Sequence, residues 1–315
     1  MPILVILMNW KLRLVLLFAR LRKPIEPNAL QDVDALRRQA EGAARLGSFL
    51  FDKKLPIRFV ADIPAGNVPV RIYRHWDAPD QQIIVYYHGG GFVFYGLDSH
   101  DYVCRRLCLM NRCLVVSVDY RLAPEHTFPA AHEDAFSALQ WVREHIQNHG
   151  GNPDRIILMG DSAGGNLAAC MAHKCKKERI PVLAQVLVYP WIDGKLENPS
   201  IVRNGKGYLL TREAMLWFQQ QYTPRKEDQC HPLVSPCYED DFSGLAPSFI
   251  LTAELDPLRD DGYNYYQQLQ VGGTHVVYRE YPGLMHGFFN LPYVHPLALQ
   301  AYHDIRDFLN SLQHP

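Results

Sequence analysis

Seven short apolar, largely β-branched or aromatic runs punctuate the chain, at residues 68–73, 83–87, 114–118, 156–159, 184–189, 248–253 and 276–281. Segments with helical spacing separate them, and this alternation predicts a mostly parallel central sheet with helices on both faces. Between Pro190 and about Ala246 the rhythm breaks. There Tyr208-Leu209-Leu210 runs into residues 211–222, which read as a capped helix inserted between two strands.

The N-terminus follows a different pattern. Residues 3–8 are apolar, but Asn9, Lys11 and Arg13 interrupt the run well short of the ~20 residues that a spanning helix needs. Basic residues lie within and after this stretch rather than before it, and no small-residue cleavage site follows, so a removable signal peptide is not expected. Leu7, Trp10, Leu14, Leu17, Phe18 and Leu21 recur at helical spacing opposite Asn9, Arg13 and Arg20, which predicts an amphipathic helix that Pro24 and Pro27 end. Such a helix either packs as a cap on the rest of the chain or lies weakly on a membrane surface.

Composition adds bounds. With 315 residues, 48% of them hydrophobic and 21% charged, the chain can build one sizeable α/β core with an added lid. A net charge of −1 and the lack of a basic groove interleaved with aromatics give no support to nucleic-acid binding. Seven cysteines, Cys104, Cys108, Cys113, Cys170, Cys175, Cys230 and Cys237, match no paired zinc spacing. They read as reduced, mostly buried thiols of a cytoplasmic protein, with a Cys230–Cys237 bridge as the alternative for an exported one.

The chemistry starts at Gly160-Asp161-Ser162-Ala163-Gly164, which follows the run at 156–159 and leads into a helical stretch from Asn166 onward. Glycines two residues before and two after the serine permit a tight strand-to-helix turn, so Ser162 reads as a nucleophile on an elbow at a helix N-terminus. A serine hydroxyl needs an imidazole to take its proton, and the imidazole needs a carboxylate to fix its tautomer. Among 14 histidines, His286 is selected by position, because it follows the strand run at 276–281 and the breaker pair Pro282-Gly283. His275 lies in the strand pattern itself, and His295, His303 and His314 belong to a C-terminal helix and tail. The acid must come from Glu254, Asp256, Asp260 or Asp261 after the run at 248–253. Pro257 suits the first turn of a helix, which makes Asp256 its N-cap and the first choice, with Glu254 as the rival. Asp260 and Asp261 are expected on a solvated helix face or in a salt bridge to Arg259. His88-Gly89-Gly90-Gly91-Phe92 follows the run at 83–87, and its glycines let backbone amides point together at a developing oxyanion, with the Ala163 amide completing the pocket. No phosphate-loop Gly-Lys-Ser/Thr and no dinucleotide Gly-x-Gly-x-x-Gly signature competes with this reading.

Taken in order, these motifs resemble the hormone-sensitive lipase family of α/β-hydrolases, a group with many bacterial esterases. The resemblance spans nearly the whole chain and also rests on Asp119-Tyr120-Arg121-Leu122-Ala123-Pro124-Glu125, Phe128-Pro129-Ala130-Ala131, Asp256-Pro257-Leu258-Arg259-Asp260-Asp261-Gly262 and His286-Gly287-Phe288. It implies an α/β-hydrolase fold with a helical cap. Residues 1–50 would be the N-terminal part of the cap, 51–190 and 247–315 the two parts of the core, and 191–246 the cap insertion. It implies Ser162 as nucleophile, Asp256 as orienting acid, His286 as base, and Gly90, Gly91 and Ala163 as oxyanion donors. The implied reaction is hydrolysis of short- to medium-chain carboxylic esters through an acyl-enzyme, with no metal or organic cofactor. Trp191, Tyr208, Trp217, Phe218 and Tyr222 are candidates for a substrate pocket, and strand pairing near 274–281 across a two-fold axis would give a homodimer. An amidase or thioesterase would share every one of these residues. An epoxide hydrolase would need an aspartate where Ser162 stands. Plant gibberellin receptors resemble the family but lack the catalytic histidine, so His286 argues against a silent receptor.

Overall fold

The computed structural model describes residues 11, 17, 32–51 and 55–312. Its eight strands form one sheet in the order β1-β2-β4-β3-β5-β6-β7-β8. They are β1 (Phe59–Ala65), β2 (Val68–Arg74), β3 (Gln81–Tyr87), β4 (Leu114–Val118), β5 (Gly151–Asp161), β6 (Ala184–Val188), β7 (Ser248–Leu255) and β8 (Val276–Met285). Pairing is parallel from β4 to β8 and antiparallel where β2 meets β1 and β4. The expected mostly parallel sheet is therefore present. All seven expected strand runs correspond to strands, while β1 was not expected.

The central strands are buried on both sides because helices cover both. Ile83, Val85, Tyr87 and Leu158 point into one core, which they share with α3 (Ala130–His145), α4 (Ala163–Lys177) and α7 (Arg259–Val271). Ile84, Tyr86, Ile157 and Met159 point into the other, shared with α2 (Asp101–Asn111) and α8 (Pro296–Ser311). Period-two alternation in a strand that is apolar throughout sends successive side chains to opposite cores, as a doubly covered parallel sheet requires.

No strand interrupts the described chain between β6 and β7. That stretch holds α5 (Pro199–Arg203), α6 (Arg212–Tyr222) and short 3₁₀ turns. Helix α6 starts where the sequence places it, with the Thr211 side chain accepting from the Ala214 amide at 3.1 Å. Helix α1 (Val33–Phe51) was not expected. Asp32 caps it through the Ala35 amide at 3.0 Å, and Val33, Leu36 and Ala40 seat it on the first core. The amphipathic helix expected upstream lies, apart from Lys11 and Leu17, outside the described residues. Lys11 donates to the Tyr293 carbonyl at 3.1 Å, and Leu17 is 54% exposed.

Candidate active site

Strand β5 delivers Ser162 at its C-terminal end and α4 begins at the next residue. Ser162 sits at φ 57°, ψ −118°, a strained conformation that persists only when its surroundings hold it. They do so through both peptide groups of the turn. The Ser162 amide donates to the Val188 carbonyl at 2.9 Å, and its carbonyl accepts from Asn166 at 3.1 Å and Trp191 at 3.2 Å. The flanking glycines serve close approach: a Cβ on Gly164 would lie 1.9 Å from the Tyr87 carbonyl oxygen, and one on Gly160 would lie 2.2 Å from that of Gly164.

His286 emerges from the end of β8, and Asp256 follows β7 directly. Three strand-end loops thus meet. His286 Nε2 lies 3.0 Å from Ser162 Oγ, and Nδ1 lies 2.7 Å from Asp256 Oδ2. A carboxylate only accepts, so Nδ1 carries the proton and Nε2 is left to accept the serine hydroxyl. Asp256 is fully buried, and its Oδ1 accepts from the Leu258 amide at 2.8 Å. Asn204 Nδ2 fixes the same loop by donating to the Asp256 carbonyl at 3.0 Å.

The other carboxylates after β7 face elsewhere. Glu254 accepts from the Gly283 amide at 2.7 Å, so the rival acid braces the loop before His286 instead of its ring. Asp260 does pair with Arg259, at 2.7 Å, but it is buried and also accepts from the Ser200 amide at 2.9 Å. Asp261 corrects the expectation of a solvated face outright. It is buried and accepts from the amides of Ile192 and Asp193, both at 2.9 Å, and from Asn198 Nδ2 at 2.6 Å. Burial pushes its carboxyl up to about 7, against the opposing pull of those donors. The physical reason is that the segment after β6 folds over the first turn of α7, replacing solvent there. That helix also begins at Arg259 rather than Pro257, since the Asp256 side chain closes a turn onto Leu258 first.

The glycine loop follows β3. Gly90 has φ 118° and Gly91 φ 62°, and Phe92 keeps a positive φ of 62° although it is not glycine. A Cβ on Gly91 would meet the Phe218 ring at 2.5 Å, and one on Gly90 the Phe94 carbonyl oxygen at 2.1 Å. Ala163 is the first residue of α4, where helix N-terminal amides are available to an anion.

A further set of residues escaped the sequence reading. Asp161, the neighbour of Ser162, is buried and accepts from the Gly89 amide at 2.9 Å, Tyr86 Oη at 2.7 Å and Asn290 Nδ2 at 3.2 Å, with His100 Nε2 at 3.4 Å. Burial opposes its ionisation, but the neighbouring His100 ring and the donors Tyr86 and Asn290 prevail and hold the carboxyl well below the usual carboxylate range. Asp161 thereby ties the elbow to the glycine loop and to the segment after His286. Beside it His88 is pushed down to about 3 by burial and by His100, and its ring stacks on Tyr120 at 4.2 Å. The elbow motif itself was the only local signal for Asp161.

Among the remaining candidates, His275 is exposed, His303 is half-buried in α8, and His295 caps α8 by accepting from the Leu297 amide at 3.2 Å. His314 lies outside the described residues. Trp191, Trp217, Phe218 and Tyr222 are buried and Tyr208 is half-buried. Tyr222 stacks on Phe92 at 3.9 Å and Phe218 meets Phe94 edge-on at 5.2 Å, so the aromatics of α6 pack against the glycine loop. All seven cysteines are free thiols. Among the described residues no helix is long and apolar enough to cross a membrane, and no group of three or more His, Cys, Asp or Glu side chains could hold a metal ion.

Known proteins resemble this chain in sequence and in fold. A family model described as alpha/beta hydrolase fold matches residues 84–290. The carboxylic ester hydrolase LipN of Mycobacterium tuberculosis is 42% identical over 236 residues, covering 72% of this chain and 62% of LipN, so the chain spans less than two thirds of that relative. The carboxylesterase NlhH of the same organism is 38% identical over 283 residues, covering 88% of this chain and 89% of NlhH. The structure of a hyperthermophilic esterase from the archaeon Pyrobaculum calidifontis superposes with a TM-score of 0.90 at 38% identity, covering 97% of this chain and 99% of that one.

Proposed function

The chain belongs to the hormone-sensitive lipase-like family of α/β-hydrolases, and from that premise we propose that it is a carboxylic ester hydrolase with Ser162 as nucleophile, His286 as base and acid, and Asp256 as orienting carboxylate. The observation that carries the reading is the pair of contacts from one imidazole, 3.0 Å to Ser162 Oγ and 2.7 Å to Asp256 Oδ2. His286 Nε2 takes the hydroxyl proton as Ser162 Oγ bonds to the ester carbonyl carbon. The carbonyl electron pair moves to oxygen, and the amides of Gly90, Gly91 and Ala163 stabilise that oxyanion. Collapse expels the alcohol, which takes the proton from His286. Water, deprotonated by the same nitrogen, then adds to the acyl carbon, and His286 returns the proton to Ser162 Oγ as the acid leaves.

Residues 1–50 and 191–246 form the cap in this reading, over a core of 51–190 and 247–315. Short to medium acyl chains are the preferred substrates. The protein acts in the cytoplasm as a homodimer paired through β8, the last strand of the sheet, with at most weak membrane-surface contact from the amphipathic pattern at residues 7–21. A light-scattering mass of one chain would overturn the dimer.

The function is tested by treating the protein with an organophosphonate and assaying nitrophenyl esters from acetyl to palmitoyl beside Ser162→Ala. Stoichiometric labelling at Ser162 with loss of activity, and rates peaking at short to medium acyl groups, are expected. An unlabelled protein would indicate a silent ligand receptor, and peak activity on emulsified palmitate would count against the substrate class.

A further inference from the structure

The glycine loop holds three consecutive residues with positive φ, Gly90, Gly91 and Phe92, and a fourth at Tyr95 with φ 74°. Two of the four are not glycine, so this backbone keeps its shape only if neighbours over-determine it. Inside the loop the Gly90 carbonyl accepts from Val93 at 3.1 Å and Phe94 at 2.9 Å. Outside it, the Phe92 carbonyl accepts from the Ala123 amide at 2.8 Å. A further brace comes from a different part of the chain. Arg37 of α1 donates through Nε to the Val93 carbonyl at 2.9 Å and through Nη2 to the Ala123 carbonyl at 2.8 Å. Both of its terminal nitrogens also meet the Glu125 carboxylate, each at 2.7 Å.

We infer that Arg37 is a positioning residue for the oxyanion loop, clamping it from the cap through the carbonyls of Val93 and Ala123. The guanidinium is a rigid planar fork, so it can satisfy the two carbonyls and the carboxylate at once. It reaches the loop twice, directly at Val93 and through the Ala123 peptide that holds Phe92. Glu125 fixes the fork in turn, and Val33, Leu36 and Ala40, at helical spacing around Arg37, seat its helix on the core. Docking of α1 and the aim of the Gly90 and Gly91 amides are thereby coupled. The inference rests on the reading of those two amides as oxyanion donors.

The test compares wild type, Arg37→Ala, Arg37→Lys and Glu125→Gln with a nitrophenyl ester and a trifluoromethyl ketone. Ser162 Oγ adds to the ketone carbon, its proton passes to His286, and the carbonyl oxygen becomes an anion in the same loop. Arg37→Ala should lower kcat about tenfold, less than the ~10²–10³ that a lost donor costs, with KM changed by less than about twofold. The ketone Ki should rise by the factor by which kcat falls, because both report the oxyanion state. Arg37→Lys should recover part of the loss, since an ammonium cannot span all three partners. Should Arg37→Ala not fold, Arg37→Lys and Glu125→Gln carry the same comparison with smaller losses. Unchanged kcat and Ki, or a rise in KM alone, would show that Arg37 holds the cap and not the loop, which overturns the inference. Wild type that the ketone fails to inhibit would overturn the underlying reading of the site instead.

Discussion

At the scale of single residues, the direction from which each side chain approaches decides which carboxylate meets the His286 imidazole. Glu254 and Asp256 are two positions apart at the end of β7, yet Glu254 turns to the Gly283 amide and Asp256 to the imidazole. Asp256→Asn would offer an amide N–H to Nδ1 and favour the tautomer with its proton on Nε2, facing Ser162. A fall in kcat of about 10⁴, the scale known for that substitution in a serine protease, is expected. Glu254→Gln can still accept from Gly283 and should keep kcat within roughly tenfold. Steady-state kinetics of both variants decide the matter, and the reverse ranking would transfer the role to Glu254. Ser162, His286 and Asp256 were legible because each follows a recognisable strand. Asp161 was legible only as a letter of the elbow, since its partners Tyr86, His100 and Asn290 come from three separate segments. No local pattern announces that they converge on a buried anion.

At the scale of elements, strands that run through the middle of the sheet were easy to read, because burial on both faces leaves a continuous apolar run. Edge strand β1 is half-buried over most of its length, with Asp62 and Pro64 exposed, and that proline blurs the signal. Gly66-Asn67, the two residues between it and β2, was the hairpin mark that could have revealed it. Helix α1 was missed for a related reason: among its residues 33–44, Ala40 alone is buried and Val33 and Leu36 are half-buried, a narrow stripe. The elbow is the element whose packing is tightest. Gly164→Ala would drive a methyl group into the backbone of Tyr87 and His88, neither of which can swing aside. The expected cost is about 3 kcal/mol or more, from overpacking at a fixed backbone. Urea unfolding monitored by fluorescence measures it, and a loss under about 1 kcal/mol would mean that β3 and α4 can separate more readily than their contact implies.

For the molecule as a whole, histidines that burial keeps neutral link its layers. His132 of α3 bridges Tyr222 Oη at 2.7 Å and Asn166 Oδ1 at 3.2 Å, joining α6 to α4. His173 of α4 meets Tyr265 Oη of α7 at 2.9 Å. Burial pushes both down to about 4, and His88 to about 3. In the unfolded chain each takes a proton below about 6.5, while in the fold none does until near 4 or lower. The unfolded state therefore binds more protons across that window, and stability falls as the pH drops through it. Asp261 acts in the opposite sense. Its folded carboxyl stays protonated up to about 7, so between roughly 4 and 7 the native state holds the extra proton and acid favours it. Taken together, these four groups, three histidines against one carboxyl, leave a net of about two protons bound by the unfolded state, a contribution approaching roughly 3 kcal/mol per pH unit between about 6.5 and 4. Urea midpoints at pH 7, 6 and 5 should therefore decline in that order. His173→Gln, which can still face Tyr265, should remove about one proton from the slope. Midpoints that stay level or rise on acidification would mean that these histidines charge inside the fold, and that the contacts among α3, α4, α6 and α7 accommodate imidazolium.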